Sequence, residues 1–227
     1  MNKKTINNMY CLLVALALGM SLSACSSDDN DAPRIDSVWF NMVSRPIEQA
    51  VCAYPGQTVC LRGGGFGNLQ QVFVNGTAIN LNTLFVYESA SNITFQIPSD
   101  VNTEGDFIKV VTANGEVSYP FVVRPATEQP VISAFSATTL IAGRTLSITG
   151  SNLEGAKEVW LPLTFGGRVQ CTFDTAQTND DNTIYVIVPD DADFATGYCE
   201  VVMEKHDAVR GIDYTEKVYS SKTDFRN

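Results

Sequence analysis

His206 is the only histidine in the chain, so a Ser-His-Asp or Cys-His arrangement would have to use it. It sits in Glu204-Lys205-His206-Asp207, a charged stretch that reads as a solvated turn. Asp180, Asp181, Asp190, Asp191 and Asp193 are hard oxygen donors, but they lack the glycine-punctuated spacing of a calcium loop. They read as solubilising loop residues, and no metal is expected. Gly63-Gly64-Gly65-Phe66-Gly67 is glycine-rich without the Lys-Ser/Thr of a phosphate loop, so it reads as a strand end and no nucleotide or other cofactor is expected. Glycoside hydrolysis would need two carboxylates held across a cleft, and no segment reads as a cleft former. The expectation is therefore a chain that is not an enzyme. The side chains best suited to a ligand are aromatic: Trp160, with Tyr185 and Tyr198 in the same half, and Phe73 in the other. Outward rings stack on the C–H faces of sugars while neighbouring polar groups bond the hydroxyls.

Strands must carry those rings. Short runs rich in Val, Ile, Phe and Thr alternate between turn residues, with no long stretch of helical period. In the first half they are Val59–Leu61, Val72–Val74 before Asn75-Gly76, Ile93–Ile97, and Ile108–Thr112 before Asn114-Gly115. In the second half they are Leu146–Ile148, Val159–Leu163 before Gly166-Gly167, Ile184–Val188 and Cys199–Met203. If Val72 and Val74 point inward, Phe73 points outward, and Val159 and Leu161 place Trp160 likewise. Trp39 and Phe40 are assigned to a first strand and the core.

The two lists are one list repeated. Gly56 and Gly143, Gly63 and Gly150, and Phe73 and Trp160 are each 87 positions apart; at Ile97-Pro98 and Val188-Pro189 the offset is 91, a four-residue loop insertion. The phrase of Gly, six residues, Gly, two residues, apolar, seen at Gly56-Gly63-Phe66 and Gly143-Gly150-Leu153, resembles the IPT/TIG domain, an immunoglobulin-like sandwich. The resemblance implies an all-β chain of two tandem immunoglobulin-like sandwiches, residues 33–124 and 130–227, joined by a linker at 125–129. Such domains occur in cell-surface receptors, in transcription factors and in surface glycan-binding lipoproteins of Bacteroidota, so the fold by itself selects no function.

At the N-terminus, Lys3 and Lys4 precede an apolar run from Met9 to Met20, too short to remain in a bilayer as a spanning helix and suited to a secretory signal. It closes on Leu22-Ser23-Ala24-Cys25, which resembles a bacterial lipobox: residues 1–24 would be removed and Cys25 acylated. The polar, acidic tract that follows has nothing to pack, so 25–32 reads as a tether, and it is similar to the export tract that takes Bacteroidota lipoproteins to the outer face of the outer membrane. Loss of the leader removes two lysines and no acid, taking the net charge from −10 to −12. That balance repels nucleic acid and anionic lipid, so the membrane would be held by the acyl chain.

Export also implies an oxidising compartment, in which the four remaining cysteines are an even set. Cys52 and Cys60 lie symmetrically about Gly56, and Cys171 and Cys199 fall one to a strand in the second half. Two disulfides, 52–60 and 171–199, are expected. Two functions fit the whole: a lipid-anchored outer-membrane protein at the cell surface that binds polysaccharide beside an outer-membrane importer, or a structural module that holds a protein partner.

Overall fold

The computed structural model describes residues 31–42, 46–82, 85–190, 192–207 and 211–227. Cys25, the leader and nearly all of the tether lie outside them. The first sandwich contains β1 (Arg34–Phe40), β2 (Cys52–Ala53), β3 (Thr58–Gly64), β4 (Leu69–Val74), β5 (Thr77–Ala78), β6 (Phe85–Ser89), β7 (Asn92–Gln96), β8 (Phe107–Thr112), β9 (Gly115–Pro120) and β10 (Val122–Val123). The second contains β11 (Val131–Phe135), β12 (Thr145–Ser151), β13 (Ala156–Pro162), β14 (Arg168–Phe173), β15 (Thr183–Ile187), β16 (Thr196–Gly197), β17 (Glu200–Asp207), β18 (Ile212–Tyr219) and β19 (Thr223–Asp224). Among the described residues no helix is long and apolar enough to cross a membrane.

In the first sandwich one sheet has the order β1-β3-β7-β6 and the other β5-β4-β8-β9. Alternation decides what lies between them. Val59, Leu61, Ile93 and Phe95 from one sheet meet Val72, Val74, Ile108 and Val110 from the other in a single buried cluster. Each such side chain contributes roughly 1.5–3 kcal/mol on burial. The second sandwich repeats the plan with Leu146, Ile148, Ile184 and Val186 against Val159, Leu161, Val201 and Met203. Its strands run β11-β12-β15-β14-β13-β17-β18, because β14 pairs with both β13 and β15 and so joins the two layers along one edge.

The duplication is a duplication in space. Gly56 and Gly143 open the turns before β3 and β12 at φ of +84° and +71°, a backbone region that costs an L side chain strain. Gly63 and Gly150 have a different requirement: a Cβ on either would collide with a main-chain carbonyl of the first strand, that of Arg34 or of Val131. Both repeats carry a register shift at that place, between Ile35 and Ser37 and between Ile132 and Ala134.

Two expectations are corrected. Phe40 enters the core, but Trp39, one residue earlier on β1, faces outward under the guanidinium of Arg62 at 4.1 Å. The disulfides do not form: Cys60, Cys171 and Cys199 are free, buried thiols. Cys52 pairs along β2 with Val122 of β10, while Cys60 is opposite Trp39 on the outer face of β3. The symmetry about Gly56 does not make a hairpin, because the segment before the turn leaves β3 for another partner. Cys171 lies opposite Val159 on β14, and Cys199 precedes β17 on the far side of β13. With strands about 4.8 Å apart, one intervening strand puts the two near 9–10 Å, beyond the roughly 7 Å between Cα atoms that a disulfide spans. Burial pushes the Cys171 thiol up to about 12 and raises that of Cys199 as well.

Where the sandwiches meet, polar groups from one are buried against the other. The Tyr54 hydroxyl donates to Glu216 Oε2 at 2.9 Å, and burial followed by the nearby Glu216 charge raises its pKa far above that of a free phenol. Arg124 Nη2 donates to Asp207 at 2.9 Å, with the Arg124 guanidinium 4.5 Å from the Tyr214 ring centre. Asn152 Nδ2 donates to the carbonyls of Thr127 and Gln129 in the connecting segment, both at 2.8 Å.

Candidate functional site

β13 places Trp160 by the same alternation that buries Val159 and Leu161. Directly across from it are Gln170 on β14 and Glu200 on β17; across from Glu200, on β18, is Tyr219. Side chains opposite one another on one face stand about 5 Å apart at Cβ, so these residues form a continuous surface. Tyr198, two positions before Glu200, is on the same face and meets Tyr219 edge to face at 6.5 Å. Three rings thus border one carboxylate.

That carboxylate is held by cations. Glu200 has a side chain only 3% exposed, yet it is paired with Arg168 and, at 3.3 Å, with Lys217, whose side chains are 49% and 40% exposed. Two cations offset the charge of one buried anion and leave donors at the surface. Arg168 also lies 5.8 Å from the Trp160 ring centre, while Trp160 Nε1 donates to Glu158 Oε2 at 2.8 Å. The indole is therefore fixed at its polar edge. Tyr219 donates to Glu48 of the first sandwich at 3.0 Å, and Lys217 is 3.9 Å from the same carboxylate. Next to them a cleft of about 270 Å³ opens between the sandwiches, lined by Met42, Tyr54, Gln57, Gln129, Lys217 and Tyr219 among others.

The four rings expected to bind ligand are thus divided. Trp160 and Tyr198 share the face. Tyr185 is on β15 opposite Ser147, in the other layer of the same sandwich. Phe73 holds the place of Trp160 in the first sandwich, on β4 between Ala78 and Lys109, with Lys109 paired to Glu116 at 2.7 Å. Sequence reasoning missed Tyr219 and Glu200. Alternation along β18 makes Tyr219 outward once Val218 is core, but only the β17–β18 register puts it beside Glu200. His206 lies on β17 with Nδ1 2.7 Å from Asp213, an exposed pair. Among the described residues no cluster of His, Cys, Asp and Glu is arranged to hold a metal.

No protein-family model and no curated protein matches the chain. Solved structures do. A surface glycan-binding protein of Prevotella bryantii aligns with 16% identity over 84% of this chain and 41% of its own, TM-score 0.36. The SGBP-B protein of a xyloglucan utilization locus in Bacteroides uniformis aligns with 18% identity over 86% of this chain and 49% of its own, TM-score 0.35. A tandem pair of titin immunoglobulin domains gives 10% identity over 84% of this chain and 96% of that one, TM-score 0.28. The chain spans less than half the length of the two bacterial proteins. With TM-scores this far below 0.5, the work of the Trp160 face rests on its own side chains.

Proposed function

We propose that the chain is a non-catalytic glycan-binding lipoprotein of the cell surface, carried by Cys25 acylated in the outer membrane and raised on a tether of residues 25–32. Its sandwiches, 33–124 and 130–227 about a 125–129 linker, are of the IPT/TIG kind, and the polysaccharide they capture passes to an outer-membrane importer. The observation that carries the reading is the Trp160 face. Rings of Trp160, Tyr198 and Tyr219 border charged donors and acceptors, and Tyr219 and Lys217 continue that face into a cleft of mixed polar and apolar lining, which suits a ligand with apolar C–H faces and many hydroxyls. Phe73 and Tyr185 are accessory contacts along a longer chain. Glu200 is tied to two cations and so is suited to positioning rather than to protonating a leaving group.

A second reading, a module for a protein partner, is favoured by Phe165. It is fully exposed at a loop tip with φ of +69°, an apolar ring with no packing role. Affinity electrophoresis of residues 25–227 through gels holding a panel of polysaccharides separates the two. Retardation in one gel, lost on Trp160→Ala, establishes the glycan reading and its platform. Retardation that survives the substitution keeps the activity and discards the platform, and none in any gel leaves the protein-partner reading.

A further inference from the structure

The repeat supplies an internal control: what the sandwich needs should be present in both copies, and what only one copy carries serves something else. On the outer face of the β1-β3-β7 layer, two rows of residues lie directly opposite one another, Trp39–Cys60–Thr94 and Ser37–Arg62–Asn92. The corresponding positions of the β11-β12-β15 layer hold Ser136, Ser147 and Tyr185, and Ala134, Thr149 and Thr183. The cation, the indole and the carboxamide belong to the first copy alone.

They border a groove of about 380 Å³, lined by Trp39, Asn41, Ile47, Cys60, Arg62 and Asn92. Trp39 is locked, its Nε1 donating to Ser37 Oγ at 2.9 Å, and Arg62 lies over its ring at 4.1 Å. Stacking holds a guanidinium flat and strips water from one side while its in-plane N–H groups remain free to donate. The chain has 25 acidic side chains, yet among the described residues none pairs with Arg62. A guanidinium shielded on one side by an indole, and with no anionic partner among the described residues, fits a carboxylate taken through two parallel hydrogen bonds. Of the groove's other polar groups, the Asn92 carboxamide suits a hydroxyl, while Asn41 Nδ2 already donates to Thr94 Oγ1 at 3.2 Å. Peptide capture by strand addition does not apply, because the outer edge of β1 at this place is already paired, Phe40 N donating to the Glu48 carbonyl and Ala50 N to the Val38 carbonyl, both at 2.8 Å.

We infer that this groove is a second glycan subsite, selective for a uronic acid whose carboxylate bonds Arg62. The assignment rests on the reading of the chain as a glycan binder, and it uses a face separate from Trp160. Calorimetry of residues 25–227 with hexagalacturonate and with neutral galactohexaose, in about 0.15 M salt so that the chain's own negative field is screened beyond roughly 8 Å, tests it. The acidic hexamer should bind at least tenfold tighter than the neutral one. Arg62→Met should lose at least tenfold, and Arg62→Lys should not restore it. Three results overturn the subsite: no binding of hexagalacturonate, binding unchanged in Arg62→Met, or hexaglutamate binding as tightly with the same dependence on Arg62, which would make the groove a site for charge and not for sugar. Retardation by a neutral polysaccharide that depends on Trp160 would survive any of these, so the two readings fail separately.

Discussion

Removing one oxygen at the seam between the sandwiches should uncouple them. In Tyr54→Phe the ring still fills its place, 2% exposed, and only the bond to Glu216 Oε2 at 2.9 Å is lost. A hydrogen bond to a charged group is worth about 1.5–3 kcal/mol when its partner stays buried. Glu216 is 7% exposed, but it and Tyr54 both line the 270 Å³ cleft, so water can replace the hydroxyl and the loss falls to about 1–2 kcal/mol. For a chain of this size that is roughly 2–8 °C in Tm. The two tryptophans serve as reporters, Trp39 in the first sandwich and Trp160 in the second, so urea unfolding of Trp39→Phe and Trp160→Phe backgrounds follows each half separately. We expect the two transitions to separate in Tyr54→Phe more than in the parent. A double-mutant cycle with Glu216→Gln should return a coupling of about 1 kcal/mol; one within 0.3 kcal/mol of zero would refute the seam as the origin of the loss.

Gly150→Ala should destabilise by more than about 2 kcal/mol in urea, since the added methyl meets the Val131 carbonyl and main chain moves less readily than a side chain, whereas Gly76→Ala, with open space around it, should lose only the strain of its φ of +83°. The buried thiols predict a pH dependence. Below about pH 8.5 a thiol is protonated whether the chain is folded or not, so Cys171 leaves stability flat there. Between that value and about 12 the unfolded chain releases a proton that the folded chain keeps, so stability should fall with a slope of up to about 1.4 kcal/mol per pH unit for each such group. Cys199, Tyr54 and Tyr214, all raised first by burial, act in the same direction. Urea midpoints from pH 7 to 10.5 test the slope, and a thiol-reactive disulfide reagent at pH 8 should label Cys171 and Cys199 only after unfolding.

What the sequence determines by itself is what depends on neighbours along the chain. Period-2 alternation at Val72-Phe73-Val74 and Val159-Trp160-Leu161 sets which side chains are core, and the 87-residue repeat identifies two copies of one sandwich, because both signals are local or are direct comparisons of one stretch with another. Pairing between distant strands is not local. Whether Trp160 meets Tyr185 or Tyr219 depends on which strand lies beside β13, and the answer, β14 and β17, arises from closure of the sheets around the core. The same limit explains the cysteines: symmetry about Gly56 suggests a hairpin, but β2 pairs with β10, and β13 stands between Cys171 and Cys199. Likewise Trp39 reads as core from its strand, and only the register with Arg62 shows the outward stack. The buried Tyr54–Glu216 bond joins residues 162 positions apart, each an ordinary polar residue in sequence. Elements and their inward faces follow from the chain; shared surfaces, and with them the candidate sites, follow from the packing that brings remote strands together.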